Sequence, residues 1–304
     1  PALRDRGAGG GGGEQPSLAP LLPVAALVAA SAALGPVCRY ESGLSCIDVA
    51  RTGGAVHLYS DGVRQAAEEV ARGGDDGDRQ RGLILPYTEW IWARMQADLG
   101  PAPAVLFIGG GGYTLPTRLL TARPEAAALA VEIDPLITEV VERHLPWAAA
   151  TIAQAGHAAA PGTPPRPGGL GIHHADGRVY LNEAGARFDA AVLDAFSSAS
   201  VPAHLVTLES FAQVRRIVDG PVYVNLIDRP DGPLARGTHA ILTELYPHVR
   251  AVQGPLNAGG TGNIVIAASP RALEPLADLP RGFAETRITP ARPFTDDRGW
   301  AGYR

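Results

Sequence analysis

Apolar residues along this chain fall into short runs of two periodicities, and the switch between them predicts the architecture. CIDVAR and AVHLYSDGV alternate apolar and polar residues around a Thr-Gly-Gly turn, which predicts a β-hairpin at 40–66 within a small β-rich domain at 36–100. RGGDDGDRQRG (72–82) reads as a loop, and LPYTEWIWARMQADL (85–99) carries apolar residues at helical spacing and links to the larger C-terminal part. From residue 101 the pattern becomes strand, helix, strand. AVLFIG (104–109), AALAVEID (127–134), GIHHAD (171–176), DAAVLDAF (189–196) and PVYVNLID (221–228) are near-continuous apolar strands. TLPTRLLTAR and PLITEVVERHL are helices between them, while HAILTELYPHVRAV runs from helix into strand before a last strand, GNIVIAAS (262–269). Such strands separated by helices predict a doubly wound α/β sheet covered on both faces at 101–304. The Ala-, Gly- and Pro-rich stretch 150–169 is expected as a flexible surface insertion.

Composition narrows the picture. The 304 residues are 46% hydrophobic and 19% charged, enough for one large core or a large and a small one. A net charge of −5, with arginine as the sole basic residue, offers no basic surface for phosphate neutralisation, so nucleic-acid binding is not expected. Two cysteines, Cys38 and Cys46, are too few for a disulfide framework or a zinc site; free thiols are the default expectation, with a bridge between them left open. Residues 1–17 are low in complexity and are expected to be disordered. Residues 18–35 are apolar and uncharged, and three readings compete: the end of a membrane region, the apolar part of a signal peptide, or a buried helix, the first being preferred.

The candidate chemistry collects at strand ends. VLFIGGGGYTLPTRLL empties a buried strand into Gly109, Gly110, Gly111 and Gly112 and then a helix, so the backbone there approaches a ligand and free amides face it. Glu132, at the tip of the next strand about 20 residues on, is where an acid receives ribose hydroxyls; a solvated strand-end acid is the alternative. Asp176 holds the corresponding place one strand later and suits an adenine amine or a helix N-cap. Asp194 ends the fourth strand ahead of the loop FSSASVP, and there an Asp serves as a binding residue or as a turn cap. The glycines are contiguous rather than spaced G-x-G-x-x-G, which favours an adenosyl amino-acid-like ligand over a dinucleotide. His173 and His174 are adjacent on a strand and face opposite ways, so no shared metal site is expected.

The order IGGGGY, VEID, ADGR and VLDAFSSASVPAHLVTLESF resembles the spermidine synthase (polyamine aminopropyltransferase) family, whose core is the Rossmann-like methyltransferase fold. SDGVRQ (60–65) and PYTEW (86–90) are similar to that family's N-terminal elements, and the resemblance covers most of the chain. IGGGGYTLP, DAFSSASVPAHLVT and FTDDR (294–298) resemble the branch fused to membrane-spanning regions. The resemblance implies a transferase whose co-substrate is S-adenosylmethionine or its decarboxylated form and whose partner is a small amine. It implies Gly109 to Gly112 against the methionine-derived chain, Glu132 on the ribose, Asp176 on the adenine, and Gln65 and Tyr87 where nucleoside and amine meet. Asp194 becomes the acid that orients and deprotonates the amine, with SSASVP as its lid. A homodimer, and a cytoplasmic domain attached to a membrane through 18–35, are further implications.

Two positions depart from the family pattern. Gly112 stands where the turn usually carries an Asp for the aminopropyl end, and Ser197 stands where a second Asp meets the diamine. A dication needs paired carboxylates to offset its desolvation. Methyl transfer from S-adenosylmethionine, and a non-catalytic nucleoside-sensing domain of a membrane protein, therefore stand as alternatives.

Overall fold

The computed structural model describes residues 38–70, 83–195, 201–289 and 291–298. Two sheets build it. Strands β1 (Tyr40–Glu41), β2 (Cys46–Thr52), β3 (Ala55–Ser60) and β4 (Val63–Glu69) form an antiparallel sheet in sequential order. The turn between β3 and β4 has positive φ at Asp61 and Gly62, the geometry an Asp-Gly hairpin supplies. Helix α1 (Pro86–Asp98) then leads into the large sheet.

That sheet has nine strands. In chain order its elements are β5 (Ala104–Ile108), α2 (Thr114–Ala122), β6 (Ala127–Glu132), α3 (Pro135–His144), α4 (Pro146–Ala155), β7 (Gly156–Ala158), β8 (Leu170–His174), α5 (Gly177–Glu183), β9 (Ala190–Leu193), α6 (Leu208–Ile217), β10 (Val222–Asp228), α7 (Pro233–Leu245), β11 (His248–Gln253), β12 (Gly262–Ser269) and β13 (Ala284–Glu285). Their spatial order is β13-β11-β12-β10-β9-β5-β6-β8-β7, parallel from β10 through β7 and antiparallel at β12, β11 and β13. The chain winds outward from β5 through β6 to β8, then returns to the other side of β5 at β9. That reversal opens a crevice at the carboxyl ends of β5 and β9, where open α/β sheets bind ligands. The predicted α/β class, doubly wound with a small N-terminal β unit, is the fold observed.

β5 and β6 are buried along nearly their whole length because helices cover both faces, which is why their sequences lack alternation. One core cluster packs Val105, Phe107 and Ala130 with Trp90, Ile91 and Met95 of α1, and a second, on the opposite face, packs Leu106, Ile108 and Leu129 with Phe211 and Ile241. Tyr40–Arg304 makes one compact unit, so the N-terminal sheet packs as part of the same body. Glu68 of β4 joins the N-terminal sheet to α4 by accepting from the backbone N–H groups of Trp147 and Ala148 at the start of that helix, at 2.9 and 3.0 Å.

Several expectations change here. Residues 150–169 carry the second half of α4 and the edge strand β7; the Ala-rich composition read as linker is also good helix-forming sequence. Neither Cys38 nor Cys46 is a free thiol; both are disulfide-bonded. Among the described residues no helix is long and apolar enough to cross a membrane, which corrects the membrane-fused branch, the membrane attachment and the anchored cytoplasmic placement. The segment 18–35 on which they rested lies outside the described residues, as do the low-complexity 1–17 and the loop at 72–82. The homodimer implied by the resemblance has no support in the structure of this chain and is withdrawn.

Candidate functional site

The turn after β5 is built around backbone that only glycine tolerates. Gly109 has φ +96°, and a Cβ there would lie 2.4 Å from the carbonyl oxygen of Asp194, so a side chain at 109 would push β9 away. Three strand ends are tied directly: Asp194 N–H after β9 donates to the Ile108 carbonyl of β5 at 2.9 Å, and Gly109 N–H after β5 donates to the Val131 carbonyl of β6 at 2.9 Å. Gly109 and Gly111 line the cleft. Gly110 packs against Glu132 and donates its N–H to it, and Gly112 packs against β4.

Gly112 explains one departure from the family pattern. A Cβ at this position would sit 2.1 Å from the Cβ of Ala66 on β4, so the strand fills the space an Asp would need. Gly112→Ala is expected to destabilise the fold by about 2 kcal/mol through overpacking. Adding Ala66→Gly should recover most of the loss, a coupling that chemical denaturation of both single variants and the pair would measure.

Glu132 is held by the turn it faces. Its Oε2 accepts from the Gly110 and Gly111 N–H groups, both at 2.9 Å, and Oε1 accepts from the Asp134 N–H at 2.9 Å. Burial raises its pKa above the usual carboxylate range, while the amides of Asp134, Gly111 and Gly110 pull it down. Asp134 is occupied as the N-cap of α3, accepting from Leu136 N–H, and by the hydroxyls of Ser42 and Ser45. Those serines belong to the β1–β2 turn, and with Leu44 and Ile133 that turn forms an apolar-lipped wall of the cleft.

Asp176 does two jobs. Oδ1 caps α5 by accepting from the N–H groups of Arg178 and Val179, at 2.8 and 3.1 Å, and Oδ2 lies 2.8 Å from His204 Nε2. Burial would raise its pKa, but His204 and the two amides outweigh that and hold it below the ordinary Asp value. Both sequence alternatives for Asp176, cap and cleft residue, thus describe one side chain. The next residue, Gly177, must be small because a Cβ would meet Ile108 at 2.6 Å.

Asp194 is held by two side chains, one at each carboxylate oxygen. Tyr87 Oη donates to Oδ2 at 2.9 Å and Asn225 Nδ2 donates to Oδ1 at 2.9 Å. The residue opens toward the cleft, yet its carboxyl is enclosed enough that burial raises its pKa, with the bonds from Asn225 and Tyr87 opposing. The Tyr87 hydroxyl is pushed well above its usual value by burial and by Asp194, so it stays a donor. Tyr87 touches Asp194 and is not itself among the residues lining the cleft.

Gln65 lines the same cleft, and its Nε2 is buried without a hydrogen-bond partner. Gln65, Gly109, Gly111, Glu132, Asp176 and Asp194 therefore converge on one crevice whose lining, among the described residues, contains Asp and Glu and no Arg. Such a crevice suits a cationic or neutral ligand. Ser197 and the rest of 196–200 lie outside the described residues. Among the described residues no His, Cys, Asp and Glu cluster could hold a metal ion; His173 binds the Ala159 carbonyl while His174 binds Thr138.

Three contributors escaped sequence reasoning: Asn225, His204 and the terminal FTDDR as a brace. Asp296 accepts from Arg178 Nη2 and Thr207 Oγ1, both at 2.8 Å, which ties the 294–298 segment to the starts of α5 and α6. Asn225 had a readable signal, an amide amid the apolar strand VYVNLID. His204 had none.

No family model matches the chain. A stretch of 139 residues is 28% identical to the polyamine aminopropyltransferase of Vibrio vulnificus (strain CMCP6), covering 45% of this chain and 40% of that one, so the chain spans about two fifths of the curated relative it matches. Among solved structures, a probable spermidine synthase from Corynebacterium glutamicum ATCC 13032 aligns with TM-score 0.64 at 17% identity, over 86% of this chain and 98% of its own. A spermidine synthase in complex with the transition state analogue AdoDATO aligns with TM-score 0.57 at 16% identity, over 83% and 80%. The Thermotoga maritima spermidine synthase gives 0.56 at 18%, over 83% and 79%. At these identities the structural likeness establishes the fold, and the fold is the one spermidine synthases share.

Proposed function

We propose that the crevice binds an S-adenosylmethionine-type nucleoside and that the chain transfers a group from its sulfonium to an amine, with Asp194 as proton acceptor. The observation that carries this reading is Asp194 itself, held by Tyr87 and Asn225 beside the glycine turn. Glu132 and Asp176 flank the same space as the ribose and adenine acids, and the unpaired Gln65 amide offers a donor to the bound nucleoside. An amine nucleophile must be neutral to attack, so an ionised carboxylate beside it supplies both orientation and a place for the proton. The sulfonium is already a good leaving group. Attack at the adjacent carbon forms the C–N bond, breaks C–S and leaves a neutral thioether, so the protein contributes chiefly positioning.

Aminopropyl transfer from the decarboxylated nucleoside is the preferred reaction. Methyl transfer is the second reading, favoured by one observation: Ala66 fills the space beside Gly112, so no acid meets the amino end of a decarboxylated chain there. Calorimetry with intact and decarboxylated S-adenosylmethionine separates the two. Both are expected to bind, the decarboxylated form more tightly; tight binding of the intact form alone would remove aminopropyl transfer.

A further inference from the structure

The polar residues behind Asp194 have an order that its role alone does not require. Asn225 sits in the central strand β10 and is only 3% exposed, with apolar neighbours along the strand. Burying an amide there is costly unless both its ends are paired. They are: Nδ2 donates to Asp194 Oδ1 at 2.9 Å, and Oδ1 accepts from Asn263 Nδ2 at 3.1 Å. Asn263 lies on β12, where its cross-strand partner is Ile227 and that of Asn225 is Val265. The two asparagines are therefore diagonal neighbours on one sheet face, within side-chain reach.

This order has a direction. An asparagine amide has a donating and an accepting end, and a donor placed against the accepting end fixes which end faces the other way. In the structure Asn263 donates to the Asn225 oxygen while the Asn225 N–H faces Asp194, so the two bonds run in one direction. Rotated by half a turn, Asn225 would set its oxygen against a carboxylate oxygen, an arrangement that only a protonated Asp194 would accept.

We propose that Asn263 and Asn225 form a directed donor relay that keeps Asp194 ionised and oriented, which makes both of them positioning residues for the transfer. The inference rests on the reading of Asp194 as proton acceptor for its functional meaning. The relay itself is testable without turnover. Among the described residues, the groups acting on Asp194 are Asn225 of β10 and Tyr87 of α1 directly, and Arg64 of β4 through Tyr87.

The test is a carbon-13 NMR titration of the Asp carboxyl carbons in the full chain, with the Asp194 signal assigned from its loss in Asp194→Asn. Asn263→Leu, which keeps the branched shape and removes the donor, leaves the Asn225 bond to Asp194 without the partner that orients and polarises it, and should raise the Asp194 midpoint by about 0.3 pH unit, a fraction of one charge-assisted hydrogen bond. The acid limb of kcat/KM should move up by the same amount while KM for the nucleoside stays within about twofold. Asn263→Gln should restore part of the shift. If Asn263→Leu folds poorly, Asn263→Ser is read in its place, with an intermediate shift expected. An Asp194 midpoint unchanged in a folded Asn263 variant overturns the relay. A midpoint that moves in a protein that transfers nothing to any amine upholds the relay and removes the proposed function, so the two failures are distinct.

Discussion

Asp194→Asn is expected to lower transfer by about 1000-fold while making the protein more stable at neutral pH. The loss follows from removing the proton acceptor, a contribution of about 10²–10⁴ in rate. The gain in stability follows from the sign of the pKa shift. Burial raises the Asp194 pKa in the folded state, so folding favours the protonated form and resists the ionised one. The group's favourable contribution is full below the unfolded pKa and disappears as pH rises through the raised folded value; above it, the enclosed charge costs stability. Asparagine carries no charge to desolvate and can still bond to Tyr87 and Asn225. The melting temperature of Asp194→Asn should therefore exceed that of the parent at pH 7–8, with the gap closing toward acid pH. A residue whose removal stabilises the fold while abolishing turnover is one retained for chemistry. Equal melting curves at all pH values, or a destabilised variant, would mean that Asp194 is structural.

Glu132→Ala is expected to damage both the fold and the ligand site. Three backbone N–H groups, those of Gly110, Gly111 and Asp134, lose their acceptor at once. Leaving buried donors unpaired costs about 1–3 kcal/mol each when water cannot reach them; partial access through the cleft makes about 3 kcal/mol the expected total. Nucleoside affinity should fall by about 100-fold, because the turn relaxes and the ribose loses its acceptor. Glu132→Gln is the informative companion. It keeps one accepting oxygen but turns an NH2 toward amide donors, so it should recover part of the stability and little of the affinity. Urea unfolding and calorimetry on both variants check this. A Glu132→Ala protein with unchanged binding would place the nucleoside elsewhere.

Much of this was legible in the residues. Apolar strands with no alternation meant a sheet covered on both faces, and β5, β6 and β9 are buried in that way. Gly109, Glu132, Asp176 and Asp194 were placed together by one rule, that the carboxyl ends of parallel strands meet at a crevice. What stayed illegible depended on contacts distant in sequence. Nothing in IGGGGY says that Ala66, 46 positions before Gly112, fills the place of an acid; β4 must be docked to see it. The pairing of Asn225 with Asn263 likewise needs the β10–β12 register. Within the Ala-rich 150–169, residues 150–158 are helix and edge strand and 159–169 carry neither; composition alone does not separate a linker from a helix when alanine serves both. The apolar 18–35 stretch invited a membrane reading through hydropathy and resemblance together; it lies outside the described residues, and no helix among those is long and apolar enough to cross a membrane.

The central claim is that the crevice transfers a group from an adenosyl sulfonium to an amine under the control of Asp194. Mass spectrometry of products tests it most directly, with the parent and Asp194→Asn each incubated with decarboxylated S-adenosylmethionine and a panel of mono- and diamines. The expected result is methylthioadenosine and an aminopropylated amine in equal amounts from the parent, and about 1000-fold less of both from the variant. Methylthioadenosine formed equally by both proteins, or no product with any amine while the nucleoside binds tightly, would contradict it.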